Sequence, residues 1–298
     1  MKIGVCISGG GAKIGFAVGV LREMEAHGIK LNLAYGISSG SLCTAGICYG
    51  GLDFLEQTLL DIKERSDVLK KQWAKVIITL VSKRGSANGW YEMNTMRRKL
   101  DGLPLANSKF RGVVGYVNLQ SGQIEYKASD EVPREEFLDA VQASCSIPVY
   151  MQTKRVGNNN YVDGGVRDIL PLKALIEDRI GVDEIHVILL SPVLMPSVDK
   201  PYKNIIEVGL RSVDLLVNEV LQNDYNQLVL VNKLIVQKQF LSIDLLEWLK
   251  DKRTIRPYKY IPKKTICGTT DFCRENIEEG IKHGREVAVE ELKNYQPS

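Results

Sequence analysis

The first fifty residues constrain the fold more than any other stretch. Residues 2–8 (KIGVCIS) form a short apolar run that ends in glycine, the pattern of a buried strand. From about Ala12 to His27, Ile14, Ala17, Val18, Leu21 and Met24 recur on one helical face. Gly28 follows as the C-terminal stop, with His27 in the last turn. Leu31 to Ile37 reads as a second strand, and a helix of small residues follows through Ser41, Cys43, Ala45 and Gly46. Strand, glycine loop, helix, strand, tight turn and helix make the opening of a parallel α/β sheet.

Downstream, residues 53–107 read as mostly helical. They include a mixed segment, Lys70 to Arg84, in which Trp73, Ile77, Ile78, Leu80 and Val81 stand among basic residues. Residues 111–128 alternate and contain Ser121-Gly122, which predicts a hairpin. Pro133 opens a helix through Phe137, Leu138 and Val141, and Pro171 opens another that ends near Gly181. Residues 185–191 read as a buried strand, and 204–252 as helical with breaks. A short strand near Tyr258–Ile261 and a final helix from Asp271 to Leu292 close the chain. No internal repeat or linker interrupts the 298 residues, so the expectation is one domain over 1–298, with a motif-bearing core at about 1–195 and a helical portion at about 204–298.

The net charge of +3 is small and dispersed in doublets such as Lys70-Lys71, Arg97-Arg98 and Lys263-Lys264, which argues against a nucleic-acid partner. The six cysteines (Cys6, Cys43, Cys48, Cys145, Cys267 and Cys273) show no CxxC pair and read as small buried residues in a reducing compartment. With three histidines, none at ligand spacing from a cysteine, no metal is expected. The N-terminal apolar run is too short for a signal peptide, and no stretch approaches the roughly 18–20 apolar residues that cross a bilayer. The expected location is cytoplasmic or peripheral at a membrane surface.

Two glycine motifs carry the chemistry. Ser8-Gly9-Gly10-Gly11-Ala12-Lys13 fails as a phosphate-binding P-loop because Ala12 and Ile14 flank the lysine. It fails as a dinucleotide fingerprint because Ile14 occupies the third glycine position and no acidic residue ends the second strand. In that place stands Gly36-Ile37-Ser38-Ser39-Gly40, a GxSxG pattern. A nucleophilic serine must project from a very sharp strand-to-helix turn, and glycines two before and two after it remove the collisions. The following helix aims its positive N-terminus at the serine oxygen. Ser39 and Ser41 lack glycines at both flanks, so Ser38 is the candidate nucleophile. A serine needs a base, but the histidines read as structural: His27 as a cap, His186 near the beginning of an apolar strand, His283 facing solvent on the last helix. Asp163, before Gly164 and Gly165, is the remaining candidate base, although Asp-Gly-Gly also suits an ordinary turn.

SGGGAK, GISSG and VDGG, in that order, resemble the three signature motifs of the patatin-like phospholipase family. Gly19-Val20-Leu21, the segment Ala143 to Pro148, and Asp163-Gly164-Gly165-Val166 followed by Pro171-Leu172 extend the resemblance over about 1–195, and more loosely to the final helix. The resemblance implies a three-layer sandwich with a central, mostly parallel sheet flanked by helices. It also implies cleavage of acyl esters of lipids, of phospholipase A or lysophospholipase type, with no cofactor. By the same carry-over, Ser38 is the nucleophile and Asp163 the general base. Gly9, Gly10 and Gly11, chiefly the last two, supply the oxyanion hole, with Gly36 and Gly40 as elbow glycines and Gly164 and Gly165 as the DGG box. Lys13 matches a basic position and would meet a lipid phosphate or a carbonyl of its own protein. Two departures stand out: Ile14 replaces the family's usual glycine, which bears on the loop's conformation, and Ala17 replaces a frequent histidine. A transacylase and a weakly catalytic lipid-binding module remain the alternatives. The Lys70–Arg84 segment is read either as a membrane-facing lid or as core packing.

Overall fold

A computed structural model of the chain describes residues 1–49, 51–72, 74–77, 89–104, 110–193, 197, 201–203, 205–236 and 255–295. Its centre is an 8-stranded sheet. Strands β1 (Ile3–Ile7), β2 (Leu33–Ile37), β5 (Arg111–Asn118), β9 (Glu184–Ile188) and β10 (Arg256–Tyr260) run parallel, in the order β10-β9-β1-β2-β5. The hairpin partner β6 (Ile124–Ala128) and β8 (Asn159–Asp163) both lie antiparallel to β5, and β7 (Lys154–Val156) pairs antiparallel with β8 beyond it. A separate two-stranded ladder pairs β3 (Lys70–Lys71) with β4 (Tyr91–Glu92). Trp73 and residues 78–84, central to the lid reading, lie outside the described residues.

Alternation along the strands builds three layers, because successive side chains leave a strand on opposite faces. Val5, Ile7, Val114 and Tyr260 pack under α1 (Ile14–Ala26), α2 (Ser39–Tyr49), α3 (Gly51–Leu60), α4 (Asn94–Asp101), α5 (Arg134–Ser144) and α8 (Arg274–Leu292). Cys6, Tyr35, Val113 and Val187 face the other way, toward α6 (Leu172–Ile176) and α7 (Ile205–Val236). The helix opened by Pro171 stops at Ile176, short of Gly181. Asp178 ends it by accepting the Ile180 N–H at 2.9 Å, and Gly181 turns the chain at φ +63.

The crossing of α1 and α8 joins the two ends of the chain through a pair of small-residue motifs. A Cβ on Gly19 would sit 2.1 Å from the Ile281 carbonyl, and one on Gly284 would sit 2.1 Å from the Phe16 carbonyl. Gly15 and Gly280 meet the opposing backbone in the same way. This close approach turns His283 inward, correcting the solvent-facing expectation: it is 6% exposed, packs 5.6 Å from the Phe16 ring and accepts the Lys263 N–H at 3.1 Å. Gly284→Leu is therefore expected to lose about 3 kcal/mol or more, since the obstacle is backbone. A Cβ on Gly209 of α7 would have nothing within 4 Å, and Gly209→Ala should gain about 0.5–1 kcal/mol. Thermal unfolding of both variants checks the contrast.

Candidate active site

The site forms at the carboxyl ends of β1 and β2, where open α/β sheets place their ligands. Ser38 links β2 to α2 and adopts φ +54, one of two described non-glycine residues in the left-handed region. A serine held there is strained and needs support. The flanking glycines provide the room: a Cβ on Gly36 would meet the Gly40 carbonyl at 2.2 Å, and one on Gly40 would meet the Ile7 carbonyl at 2.3 Å. The support comes from a segment to which sequence reasoning assigned no role. The Ser38 N–H donates to Ser144 Oγ at 2.8 Å, and the Ser38 carbonyl accepts from Cys145 Sγ at 3.1 Å. The next carbonyl along, of Ser146, accepts the Asp163 N–H at 2.9 Å. Residues 144–146 thus tie elbow and acid together. The sequence signal was Ala143-Ser144-Cys145-Ser146 itself, a run of small hydrogen-bonding residues at a helix end.

Asp163 ends β8 and caps the short 3-10 turn Gly164–Val166. Its Oδ1 accepts the Gly165 N–H at 2.8 Å, whereas Oδ2 is buried and has no hydrogen-bond partner among the described residues. Burial pushes the carboxyl up to about 7, against the pull of the Ser38 hydroxyl and the Gly165 N–H. The Ser38 hydroxyl is thus near enough to favour the carboxylate without a hydrogen bond to Oδ2. A side chain at 164 is excluded, since its Cβ would meet the Gly115 carbonyl at 2.6 Å, whereas a Cβ at 165 would meet Ile169 Cδ1 at 2.5 Å and would require that side chain to turn aside.

The glycine loop lies against the same elbow. A Cβ on Gly9 would stand 2.9 Å from Ser38 Cβ, and Gly11 takes φ +60. Two of the loop's N–H groups are occupied: Gly9 donates to the Ile169 carbonyl at 3.3 Å and Ala12 to the Thr269 carbonyl at 2.9 Å. Those of Gly10 and Gly11 have no acceptor among the described residues, so the free donors narrow to this pair. Ile14 is fully buried and helical at φ −52, the first residue of α1, so it occupies a position that does not need glycine. Lys13 donates to Ser191 Oγ at 2.7 Å, a side-chain hydroxyl of its own protein. Desolvation lowers its pKa, with Asp214 opposing.

Ser38 opens onto two cavities. One is apolar and runs past Leu59, Ile62, Met93, Met96, Leu100 and Phe272. The other has a largely apolar wall but carries the polar groups Lys13, Asp163, Ser191, Arg211 and Asp214. His186 stays away from both, fully buried in β9 between Glu184 and Tyr260. His27 caps α1 through the Glu23 carbonyl. All six cysteines are free, and five are buried.

Among protein families, the one described as "Patatin-like phospholipase" matches residues 5–176. Among solved structures, the crystal structure of VipD from Legionella pneumophila aligns with 98% of this chain at 14% identity and a TM-score of 0.47. This chain spans 66% of the length of that one.

Proposed function

The chain belongs to the patatin-like phospholipase family, whose activity is lipid acyl hydrolysis, and from that membership we propose that Ser38 and Asp163 cleave acyl esters of lipids as a catalytic pair. The observation that carries this reading is the buried, unpartnered Asp163 Oδ2 beside a serine strained into an elbow. Ser38 Oγ attacks the ester carbonyl carbon while its proton passes to Asp163 Oδ2. The carbonyl oxygen becomes an oxyanion held by the Gly10 and Gly11 N–H groups, each worth about 3 kcal/mol in the transition state. The C–O bond to the leaving alcohol breaks, and Asp163 returns its proton to that oxygen. Water then attacks the acyl-Ser38 ester, Asp163 takes the water's proton, and the fatty acid leaves as Ser38 regains it. An Asp163 carboxyl poised near neutrality suits both directions of transfer.

The two cavities divide the substrate. The apolar one suits the acyl chain, and the other, with Lys13 and Arg211 facing Asp214, suits a headgroup of phospholipase A or lysophospholipase substrates. Exposed Val208, Leu215 and Leu216 on α7 offer contact with a lipid surface. No helix among the described residues is long and apolar enough to cross a membrane. The reading of 1–298 as one unit rests on β10 and α8, which complete the sheet and the helical layer begun by β1 and α1.

Met96→Trp fills the apolar cavity. We expect it to lower kcat/KM on palmitoyl esters by about tenfold or more while butyryl esters are hydrolysed nearly as before. Equal loss on both would remove the acyl-cavity assignment. Release of free fatty acid, rather than its transfer to an added alcohol, distinguishes hydrolase from transacylase.

A further inference from the structure

On the sheet face away from α1, two carboxyls meet behind the catalytic loops. Asp168 follows the DGG turn, and Asp224 projects from α7. The two carboxyls lie within each other's reach, Asp224 Oδ2 is buried with no other hydrogen-bond partner among the described residues, and the Tyr126 hydroxyl donates to Asp168. The Asp224 carboxyl also faces the backbone N–H groups of Leu170 and Ile169. Ile169 is the hinge of the site. Its carbonyl accepts the Gly9 N–H, and its Cδ1 fills the space that a Cβ on Gly9 or Gly165 would need. A continuous path thus runs from α7 through residues 168–170 to the oxyanion loop on one side and the Asp163 turn on the other.

The neighbours offer the pair no compensating cation among the described residues. The Cys6 thiol faces it from β1, raised by burial and then by both carboxylates. Tyr126 faces it from β6, and Tyr35 of β2, 6.0 Å from the Tyr126 ring, gives its hydroxyl to Asp178. Arg111 is committed to Asp178, Asp130 and Glu131, Lys259 of β10 lies over the Tyr225 ring, and Arg167 and Lys173 are exposed. Two touching carboxyls without a cation share a proton and titrate as a pair.

We propose that Asp168 and Asp224 are positioning residues for the hydrolysis: sharing one proton, they clamp residues 168–170 and so hold the Gly10 and Gly11 donors in register with Ser38, and loss of that proton releases the clamp. The inference rests on the Ser38–Asp163 reading. It is carried by the Gly9 hydrogen bond to Ile169, the seat of Ile169 against Gly9 and Gly165, and the meeting of the two carboxyls; burial, and at Asp224 the neighbouring Asp168 charge, raise the pair's affinity for the shared proton. The signs oppose. Asp163 must lose its proton to act, so activity rises through about 7, and the pair must keep its shared proton, so activity falls where that proton is lost.

The test uses the full chain and a soluble nitrophenyl ester, with kcat and KM followed from about pH 5 to about pH 9. Asp224→Asn keeps an uncharged partner for Asp168 at every pH and is expected to retain the rising limb and lose the falling one. Asp168→Asn, which still accepts from Tyr126, repeats the test from the other side. Asp224→Ala is expected to lower kcat about tenfold or more with little change in KM, because the donors are displaced rather than removed. A wild-type falling limb in both Asn variants, in an enzyme silenced by Ser38→Ala, overturns the clamp alone. Activity that survives Ser38→Ala overturns the reading beneath it, and the clamp with it.

Discussion

Ser38→Ala is expected to lose hydrolysis of lipid esters by a factor on the order of 10⁴ or more, the scale seen when a nucleophile is removed from a machine whose parts act together. The usual objection is that such a variant has simply lost its structure. The backbone answers it. Ser38 already carries a Cβ at φ +54, so alanine adds no strain, and glycine relieves it. Ser38→Gly should therefore be as inactive as Ser38→Ala yet more stable than wild type by about 1 kcal/mol. Esterase assays paired with thermal unfolding separate chemistry from folding. Residual activity in either variant within about tenfold of wild type would remove Ser38 from the mechanism.

Asp163→Asn gives the second large effect, and it runs in opposite directions for activity and stability. Asparagine keeps an oxygen for the Gly165 N–H but cannot take the serine proton, so kcat should fall by a factor on the order of 10³ or more. Stability should rise. An aspartate in the unfolded chain ionises near 3.9, whereas burial holds the Asp163 proton to about 7 in the fold. The folded state's advantage is full below the unfolded value and is lost as pH climbs to about 7. At neutral pH and above, the wild type bears that cost and the asparagine variant does not, a difference on the order of 4 kcal/mol. Denaturant midpoints should coincide near pH 4 and diverge by pH 7. Divergence in the other sense would mean that Asp163 is held charged by a partner, contrary to its free Oδ2.

The two βα units at the start of the chain were legible because each element is specified locally. Apolar runs end at glycines, a 3.6-residue period follows, and Gly36 and Gly40 bracket Ser38. Asp163 was legible as a candidate because no histidine competes, and the structure keeps His27 and His186 in structural roles. What sequence could not reveal depends on contacts between distant segments. The Gly15–Gly19 and Gly280–Gly284 spacings were visible, but their mutual fit required knowing that α1 and α8 cross, and the burial of His283 follows from that crossing. The roles of Ser144, Cys145 and Ser146 are hydrogen bonds to residues more than a hundred positions earlier or on another strand. The resemblance already favoured Gly10 and Gly11 over Gly9, but the reason, the Gly9 N–H spent on the Ile169 carbonyl, is a contact between distant segments, and Asp224 lies beyond the stretch that carries the signature motifs.

The most direct test of the account is the rate and place of reaction with a fluorophosphonate, read by intact mass and peptide mapping as a function of pH. A single adduct on Ser38 is expected, forming at a rate that rises through about pH 7 in the wild type as Asp163 loses its proton. In Asp163→Asn the rate should be lower by a factor on the order of 10² and flat with pH. An adduct on another residue with Ser38 unmodified, or a wild-type rate and pH dependence in Asp163→Asn, would contradict the account.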